Sequence, residues 1–239
     1  MSRTDGGEAA ASGVGDRIAL SDRLYEAIRD RILLWDIEPN EILVEARLAE
    51  EYEVSRTPVR QALALLGQDG LVEVMPRVGY RVSSISLQDV HEIFDMRLLL
   101  EGEAAARAAR VATDGELAAL KTMHEEWANA LEQRQTSPVD YLKYHDAFHL
   151  GIAELSGSQR LARYVAQLLR EGMRLRMSDP LMSSLGLETE KEGSNALLSA
   201  LMRHDADQAR NLHSQHITDS KRRALQWLIE HGGVPGIDI

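Results

Sequence analysis

The sequence predicts a mainly α-helical protein, in which a small N-terminal unit of three helices and a β-hairpin precedes an all-helical antiparallel bundle. Alanine and leucine, which favour helices, are abundant, whereas aromatic residues make up only 5% of the chain. Apolar residues recur at helical spacing almost throughout, and one stretch, "LVEVMPRVGYRVSS" at residues 71–84, alternates as strands do. This change of period places the hairpin at the end of the N-terminal unit.

Composition excludes several classes of protein. With 239 residues, of which 44% are hydrophobic, the chain is long enough for two ordinary domains with a buried core. It has no cysteine, which excludes disulfides, thiolate metal sites and a cysteine nucleophile, and which is compatible with a reducing cytoplasm. No apolar run approaches the roughly 18 residues of a membrane span. We therefore expect a cytoplasmic protein without a membrane partner.

The two ends of the chain predict tails. Residues 1–17, "MSRTDGGEAAASGVGDR", lack the apolar segment of a secretion signal, and their Gly, Ala and Ser content predicts a flexible tail. Residues 232–239 are expected to form a short C-terminal tail.

The N-terminal unit is predicted to span residues 18–84. A first helix runs from Ile18 to Leu34 and ends at "DIEPN", and a second, short helix fits "EARLAEEYE". A third helix begins after Ser55, a good N-cap, and stops near Gly70. The hairpin follows, with its turn at Arg77 to Gly79.

The second unit is predicted to span residues 85–231 and to be helical almost throughout. The clearest long loop in it is "SDPLMSSLGLE", at residues 178–188. The expected helices cover residues 87–111, 114–134, 138–155, 158–177, 188–203 and 205–230.

The third predicted helix starts like a helix that reads DNA. In a helix-turn-helix, the second helix lies in the major groove with its N-terminal residues toward the bases. Here it begins "SRTPVR", residues 55–60, and offers hydroxyls and arginines to phosphates and base edges. The net charge of −11 by itself argues against nucleic acid, but residues 54–82 hold four arginines and only two acids. The alternative is a polar helix start that contacts no DNA.

The stretch "LAEEYEVSRTPVRQALALLGQDGLVEVMPRVGYRVS" resembles the winged helix-turn-helix of the GntR superfamily of bacterial transcription regulators. The sequence departs from the pattern at Glu53, where the family often has a turn glycine, and at Ala46, where some members place a DNA-contacting arginine; Arg47 is its neighbour. The resemblance implies that operator DNA is contacted by Ser55, Arg56, Thr57, Arg60, Arg77 and Gly79, with Arg47 as a further candidate.

The second unit resembles the helical ligand-sensing domain of the FadR-like branch of that superfamily, the FCD type. Three segments carry the resemblance: "FDMRLLLEGEAAARAA", "DAFHLGIAELSGSQRL" and "LLSALMRHDADQARNLHSQHI". Many members bind a divalent metal there through one aspartate and three histidines. The corresponding positions here are His145 in place of the aspartate, His149, Ser194 in place of a histidine, and His216.

The histidines themselves leave two interpretations open. Leu142, His145, His149 and Ile152 share one helical stripe, which is expected to face inward. Together with His216 they could hold Zn²⁺ or Ni²⁺ through nitrogen ligands. The alternative is a set of buried polar residues that bond to one another and to water, around a pocket whose metal site was altered or abandoned.

Two further side chains have expected roles. Arg97 lies where the family usually has an arginine, and such an arginine can bind a small carboxylate effector bidentately; the alternative is a salt bridge to Glu101 at i+4. His213, three residues before His216, is expected to be solvated. The expected pocket therefore consists of Arg97, His145, His149, Ser194 and His216.

These observations predict a ligand-responsive transcriptional regulator, a repressor, that binds a pseudo-palindromic operator as a homodimer and is controlled by a small metabolite. A metalloenzyme built on the histidine cluster is the alternative, although the chain has no HExxH, G-x-S-x-G, P-loop or GxGxxG motif. A protein-interaction module that has lost DNA binding is a third possibility.

Overall fold

The structure, a computed structural model, describes residues 8–133, 137–173, 175, 184–231 and 237–238. The chain divides into two compact units, residues 1–84 and 85–239. Among the described helices, none combines the length and the apolar character that crossing a membrane requires.

The first unit contains three helices and a three-stranded antiparallel sheet of strand order β1-β3-β2. The predicted hairpin is β2 and β3, which pair Val72 with Val82 and Met75 with Gly79. β1 was not predicted, because two residues are too few to show an alternating pattern. The elements are α1 (Glu8–Leu33), β1 (Ile42–Leu43), α2 (Glu45–Glu51), α3 (Arg56–Gln68), β2 (Val72–Met75) and β3 (Gly79–Val82).

The core of the first unit lies between α1 and α3. Ile28 of α1 is fully buried, and so are Val59, Leu63 and Leu66 of α3, which recur at helical spacing on one side of that helix. Because this side packs inward, the opposite side of α3 remains exposed, together with Arg56 and Thr57 at its start.

The second unit is a helical bundle, as predicted, with one short parallel bridge between Ile85–Ser86 and Ile237–Asp238. Capping boxes at Ser86 and Ser137 fix the starts of α4 and α6. The elements are β4 (Ile85–Ser86), α4 (Leu87–Val111), α5 (Asp114–Glu132), α6 (Pro138–Leu155), α7 (Gln159–Glu171), α8 (Ser184–Met202), α9 (Ala206–His231) and β5 (Ile237–Asp238).

Three sequence expectations differ from the structure. Residues 8–17 continue α1 instead of forming a flexible tail, since the alanines there favour helix more than the glycines oppose it; residues 1–7 lie outside the described residues. Residues 184–188 belong to α8 instead of the predicted loop, whose residues 178–183 are likewise not described. In the C-terminal tail, Ile237 and Asp238 form a strand.

The centre of the second unit is the contact between α4 and α9. α4 turns a row of buried small residues toward its neighbours, including Ala104, Ala105, Ala108 and Ala109. At Gly102, a Cβ atom would lie only 2.6 Å from Oγ of Ser214 on α9. Small side chains therefore let the two helix backbones approach closely.

Glu53, in the turn between α2 and α3, has a strained backbone conformation. Glu53 has φ 54°, the left-handed conformation that glycine adopts without cost. Replacing it with glycine should raise the free energy of unfolding by up to about 1 kcal/mol, because a left-handed residue with a Cβ costs about 1–2 kcal/mol. Urea denaturation of the Glu53→Gly variant measures the change.

The matched control is Glu50→Gly, the same chemical change three residues earlier on α2, where the backbone is helical. It should lower the free energy of unfolding by about 0.5–1 kcal/mol. Equal signs for the two variants would show that Glu53 carries no backbone strain.

Candidate nucleic-acid interface and buried histidine cluster

The first candidate site is an open groove in the first unit, between the start of α3 and the hairpin. Arg56, Arg60, Arg77 and Gly79 all line it. Ser55 and Thr57 are exposed beside them at the start of α3, while Pro58 and Val59 are buried and hold the helix against the core. The sequence-predicted contacts thus lie on one exposed side. Arg47 is exposed on α2 but is not among the residues that line the groove, whereas Ala46 is.

The arginines in and beside this groove differ in whether they form a salt bridge. Arg60 forms a bidentate pair with Glu45, with Nε–Oε1 and Nη2–Oε2 distances of 2.9 and 2.7 Å, and these hydrogen bonds lower the pKa of Glu45. Arg81 pairs with Glu73 on the neighbouring strand at 2.8 Å. Within the described residues, Arg56 and Arg77 form no salt bridge, so they are the arginines most ready to bind phosphate.

Position 79 requires glycine for a structural reason, apart from its predicted contact with DNA. Its φ is 145°, and a Cβ there would lie 2.4 Å from the carbonyl oxygen of Leu43 on β1. Only glycine lets the start of β3 lie this close to the backbone of β1.

The second candidate site is a cluster of ionisable side chains buried in the second unit. α4 contributes Arg97 and Glu101, α6 contributes His145 and His149, and α9 contributes His213 and His216. Except for the partly buried His216, each of these side chains is at least nine-tenths buried. Three helices therefore converge on one polar centre inside the bundle.

Glu101 contacts three other residues of this cluster. Its Oε1 accepts a hydrogen bond from Nε of Arg97 at 2.5 Å, and its Oε2 lies 2.5 Å from Nδ1 of His149 and 3.3 Å from Nε2 of His213. Burial by itself raises the pKa of Glu101, but the charge of Arg97 and the contacts with the two histidines outweigh it and hold that pKa well below its ordinary value. At neutral pH the group is a carboxylate.

Both ring nitrogens of His149 have polar neighbours. Its Nδ1 faces Glu101 and lies 2.9 Å from Nε2 of His213, while its Nε2 lies 3.2 Å from Nε2 of His216. Burial, and then the neighbouring His145, lower the pKa of His149 well below its ordinary value against the opposing effect of Glu101. The ring is therefore neutral at neutral pH, which leaves a nitrogen lone pair free to bind a metal.

The structure brings together His145, His149 and His216, as predicted for a metal site. It also forms the salt bridge between Arg97 and Glu101 that was one of the two readings of Arg97. Nη1 and Nη2 of Arg97 nevertheless remain buried without a hydrogen-bond partner in the described part of the chain. The salt bridge thus uses only one edge of the guanidinium group.

Two expectations about this site need correction. His213 is not solvated: it is 0% exposed and touches both Glu101 and His149, because residues three apart on α9 share a face that packs against α4 and α6. Ser194 is buried on α8, but its side chain makes no hydrogen bond to the cluster within the described residues.

Glu101 was not predicted as a site residue in its own right. The available signal was an acid four residues after Arg97 inside an alanine-rich, buried stretch of helix.

The donor set fits a divalent metal ion. Two groups have ligand atoms within 4.8 Å of one another: one consists of His145, His149 and His216, and the other of Glu101, His149 and His213. Neutral imidazole and carboxylate are the ligands that Zn²⁺ and Ni²⁺ take in proteins.

Comparison with known proteins decides the family. Residues 20–82 match the bacterial regulatory proteins of the gntR family, and residues 92–219 match the FCD domain. The chain belongs to the GntR family and carries an FCD domain. The resemblance drawn from "VSRTPVRQAL" and from the three segments of the second unit is thereby confirmed.

Relatives of this GntR-family chain are transcriptional regulators, not enzymes. The repressor RspR of Escherichia coli K12 is 27% identical over 211 residues, which cover 87% of this chain and 91% of RspR. The regulator YdhC of Bacillus subtilis 168 is 30% identical over 139 residues, which cover 58% of this chain and 62% of YdhC. The chain thus spans less than two thirds of YdhC.

A solved structure shows the same fold. The Escherichia coli protein McbR/YncC superposes with a TM-score of 0.70 at 23% identity, over 87% of this chain and 97% of that one.

Replacing Gly102 with alanine tests the helix contact that sets Glu101 beside His213. In the wild-type chain the new methyl group meets Oγ of Ser214, so the Gly102→Ala variant should lose about 1–3 kcal/mol of unfolding free energy. In a Ser214→Ala background that oxygen is gone, and the same change should be neutral or should stabilise by up to about 1 kcal/mol, because alanine favours helix.

Urea denaturation of the four proteins gives the coupling free energy between the two positions. The same effect of Gly102→Ala in both backgrounds would mean that α4 and α9 are not in close contact here.

Proposed function

We propose that this protein is a ligand-responsive transcriptional repressor that binds a pseudo-palindromic operator as a homodimer. The observation that carries the proposal is the groove of the first unit, where the exposed start of α3 and the hairpin present Arg56 and Arg77 without salt-bridge partners among the described residues. In helix-turn-helix proteins the start of the second helix enters the major groove. Membership of the GntR family supports the same reading.

Dimerisation and repression are each supported by a separate argument. Two heads related by a two-fold axis would read two half-sites on one face of the DNA, which is the common arrangement for helix-turn-helix proteins. Repression is supported by the relative RspR, whose name describes a transcriptional repressor.

The proposed effector is a small carboxylate bound by Arg97. A guanidinium group presents a planar fork of N–H donors that matches a carboxylate, and here Nη1 and Nη2 are buried with no partner in the described residues. Leaving such donors unpaired costs about 1–3 kcal/mol, which a carboxylate ligand would recover. The ligand controls DNA binding only if its affinity differs between the DNA-bound and the free state.

Binding to the promoter region of its own gene cluster tests the DNA interface. The double variant Arg56→Ala, Arg60→Ala should abolish retardation in a gel-shift assay at low salt. For wild-type protein, the logarithm of the binding constant should fall steeply with the logarithm of salt concentration, by about 0.9 for each phosphate contact.

The matched control is Arg163→Ala with Arg170→Ala, which removes the same two charges from exposed positions on α7. This variant should bind like wild type. Retention of binding by the α3 variant, or no retardation of any fragment by wild-type protein, would contradict the proposed interface.

Carboxylate binding is tested on protein stripped of metal with a chelating resin. Acetate, lactate, succinate and citrate are added one at a time, and the melting temperature is measured. At least one should raise the melting temperature of wild-type protein, because a ligand at about 100 times its Kd adds about 2.7 kcal/mol of stability.

The comparison that isolates Arg97 uses the Glu101→Gln variant and the double variant Arg97→Gln, Glu101→Gln. The first keeps the guanidinium and should keep the shift; the second removes the buried ion pair as a whole and should lose it. A shift that survives in the double variant would place the carboxylate elsewhere.

A further inference from the structure

Arg60 differs from the other arginines that line the groove of the first unit. A carboxylate holds it: Nε and Nη2 of Arg60 donate to Oε1 and Oε2 of Glu45 at 2.9 and 2.7 Å. Arg56 and Arg77, which line the same groove, form no salt bridge within the described residues. Glu45 is the first residue of α2 and Arg60 lies in the second turn of α3, so the pair links the two helices of the helix-turn-helix.

The pair of Arg60 and Glu45 suits neither phosphate binding nor stability. The hydrogen bonds from Arg60 lower the pKa of Glu45, so this group is a carboxylate at neutral pH and its charge cancels that of Arg60. A carboxylate at this distance also repels a phosphate group that approaches Arg60. Since the side chain of Arg60 is 65% exposed, its ion pair contributes little to stability. Another role therefore explains better why the two side chains are paired in this groove.

Glu45 uses one edge of the guanidinium group and leaves another edge free. The hydrogen bonds engage Nε and one proton of Nη2, so the second proton of Nη2 and both protons of Nη1 have no acceptor within the described residues. Two parallel donors of this kind match O6 and N7 of guanine in the major groove. Because the salt bridge already fixes the long side chain of Arg60, less rotamer freedom is lost when a base is bound.

We propose that Glu45 is a positioning residue, which directs the Nη1–Nη2 edge of Arg60 to a guanine base and keeps phosphate groups away from it. Arg56 and Arg77, which form no salt bridge among the described residues, bind phosphate instead. Glu45 thereby lowers the total affinity for DNA and raises the discrimination between base sequences. This inference rests on the proposed DNA binding.

Base discrimination is measured on duplexes that wild-type protein itself selects from a pool of random sequence. The Kd is determined for the selected duplex, for versions in which one G·C pair at a time becomes A·T, and for an unrelated duplex of the same length. At least one replacement should weaken the binding of wild-type protein by about 10-fold to 100-fold. Arg60→Lys, which keeps the charge but lacks the planar fork, should lose the discrimination at that base pair.

The variant that isolates the positioning role is Glu45→Ala. At the base pair where Arg60→Lys loses discrimination, this variant should discriminate by less than about threefold, because its Arg60 is no longer directed to the base. Its binding to the unrelated duplex should be as tight as that of wild type or tighter. There the logarithm of the binding constant should fall more steeply with the logarithm of salt concentration, by about 0.9 for each phosphate that the released Arg60 contacts.

The matched control is Glu73→Ala, which removes the carboxylate that pairs with Arg81 at 2.8 Å. Among the described residues, neither Glu73 nor Arg81 lines the groove. The control therefore loses one negative charge and one exposed ion pair, as Glu45→Ala does, but should discriminate between base pairs like wild type. Circular dichroism and the melting temperature verify the fold of each variant.

The proposed role of Glu45 is overturned if Glu45→Ala keeps the discrimination that Arg60→Lys loses, or if Arg60→Lys loses none. A uniform loss of affinity of Glu45→Ala for every duplex, together with a lower melting temperature, would also overturn it, because a purely structural link between α2 and α3 predicts that result. If wild-type protein selected no sequence at all, the proposed DNA binding would fail as well, so the two failures are distinguishable.

Discussion

The close approach of α4 and α9 is the constraint on which the second unit depends. Gly102 faces Ser214 where a methyl group would not fit, and buried alanines continue the same row along α4. The residues next to this contact in sequence are Glu101 and His213, so the packing that excludes a side chain at one position places two polar groups together at the next. His149 of α6 then completes the group from the third helix.

A buried carboxylate at this point carries a cost that its neighbours must offset. Removing Glu101 from water would raise its pKa, and only the charge of Arg97 together with the two imidazoles holds it ionised. Arg97 in turn is 0% exposed, and its charge is balanced by the same carboxylate. Neither residue can be replaced alone without leaving an uncompensated charge in the bundle.

In the first unit, the local charge of residues 54–82 differs in sign from the net charge of the chain. The whole chain has a net charge of −11, which repels DNA at long range, yet the start of α3 and the hairpin turn expose Arg56 and Arg77 on one local surface. Arg60 is held by Glu45, and Arg81 by Glu73, which reduces the free positive charge and fixes the direction of both side chains. Affinity in such a groove would depend on contacts at short range, where the local charge outweighs the total.

The sequence by itself determined the order of the helices, the hairpin and the family, because these depend on local periodicity, on caps and on short motifs such as "VSRTPVRQAL". Helices α4 and α6 have the expected bounds, and Glu53, which stands where the family often has a turn glycine, is left-handed. The tertiary structure alone decided which polar residues meet. His213 was expected in solvent and Ser194 in the cluster, whereas Glu101 and His213 are in the cluster and Ser194 makes no hydrogen bond to it among the described residues. The spacing of residues along a helix fixes which of them share a face, but the rotation of that helix against its neighbours depends on contacts such as Gly102 with Ser214, which lie far apart in the chain.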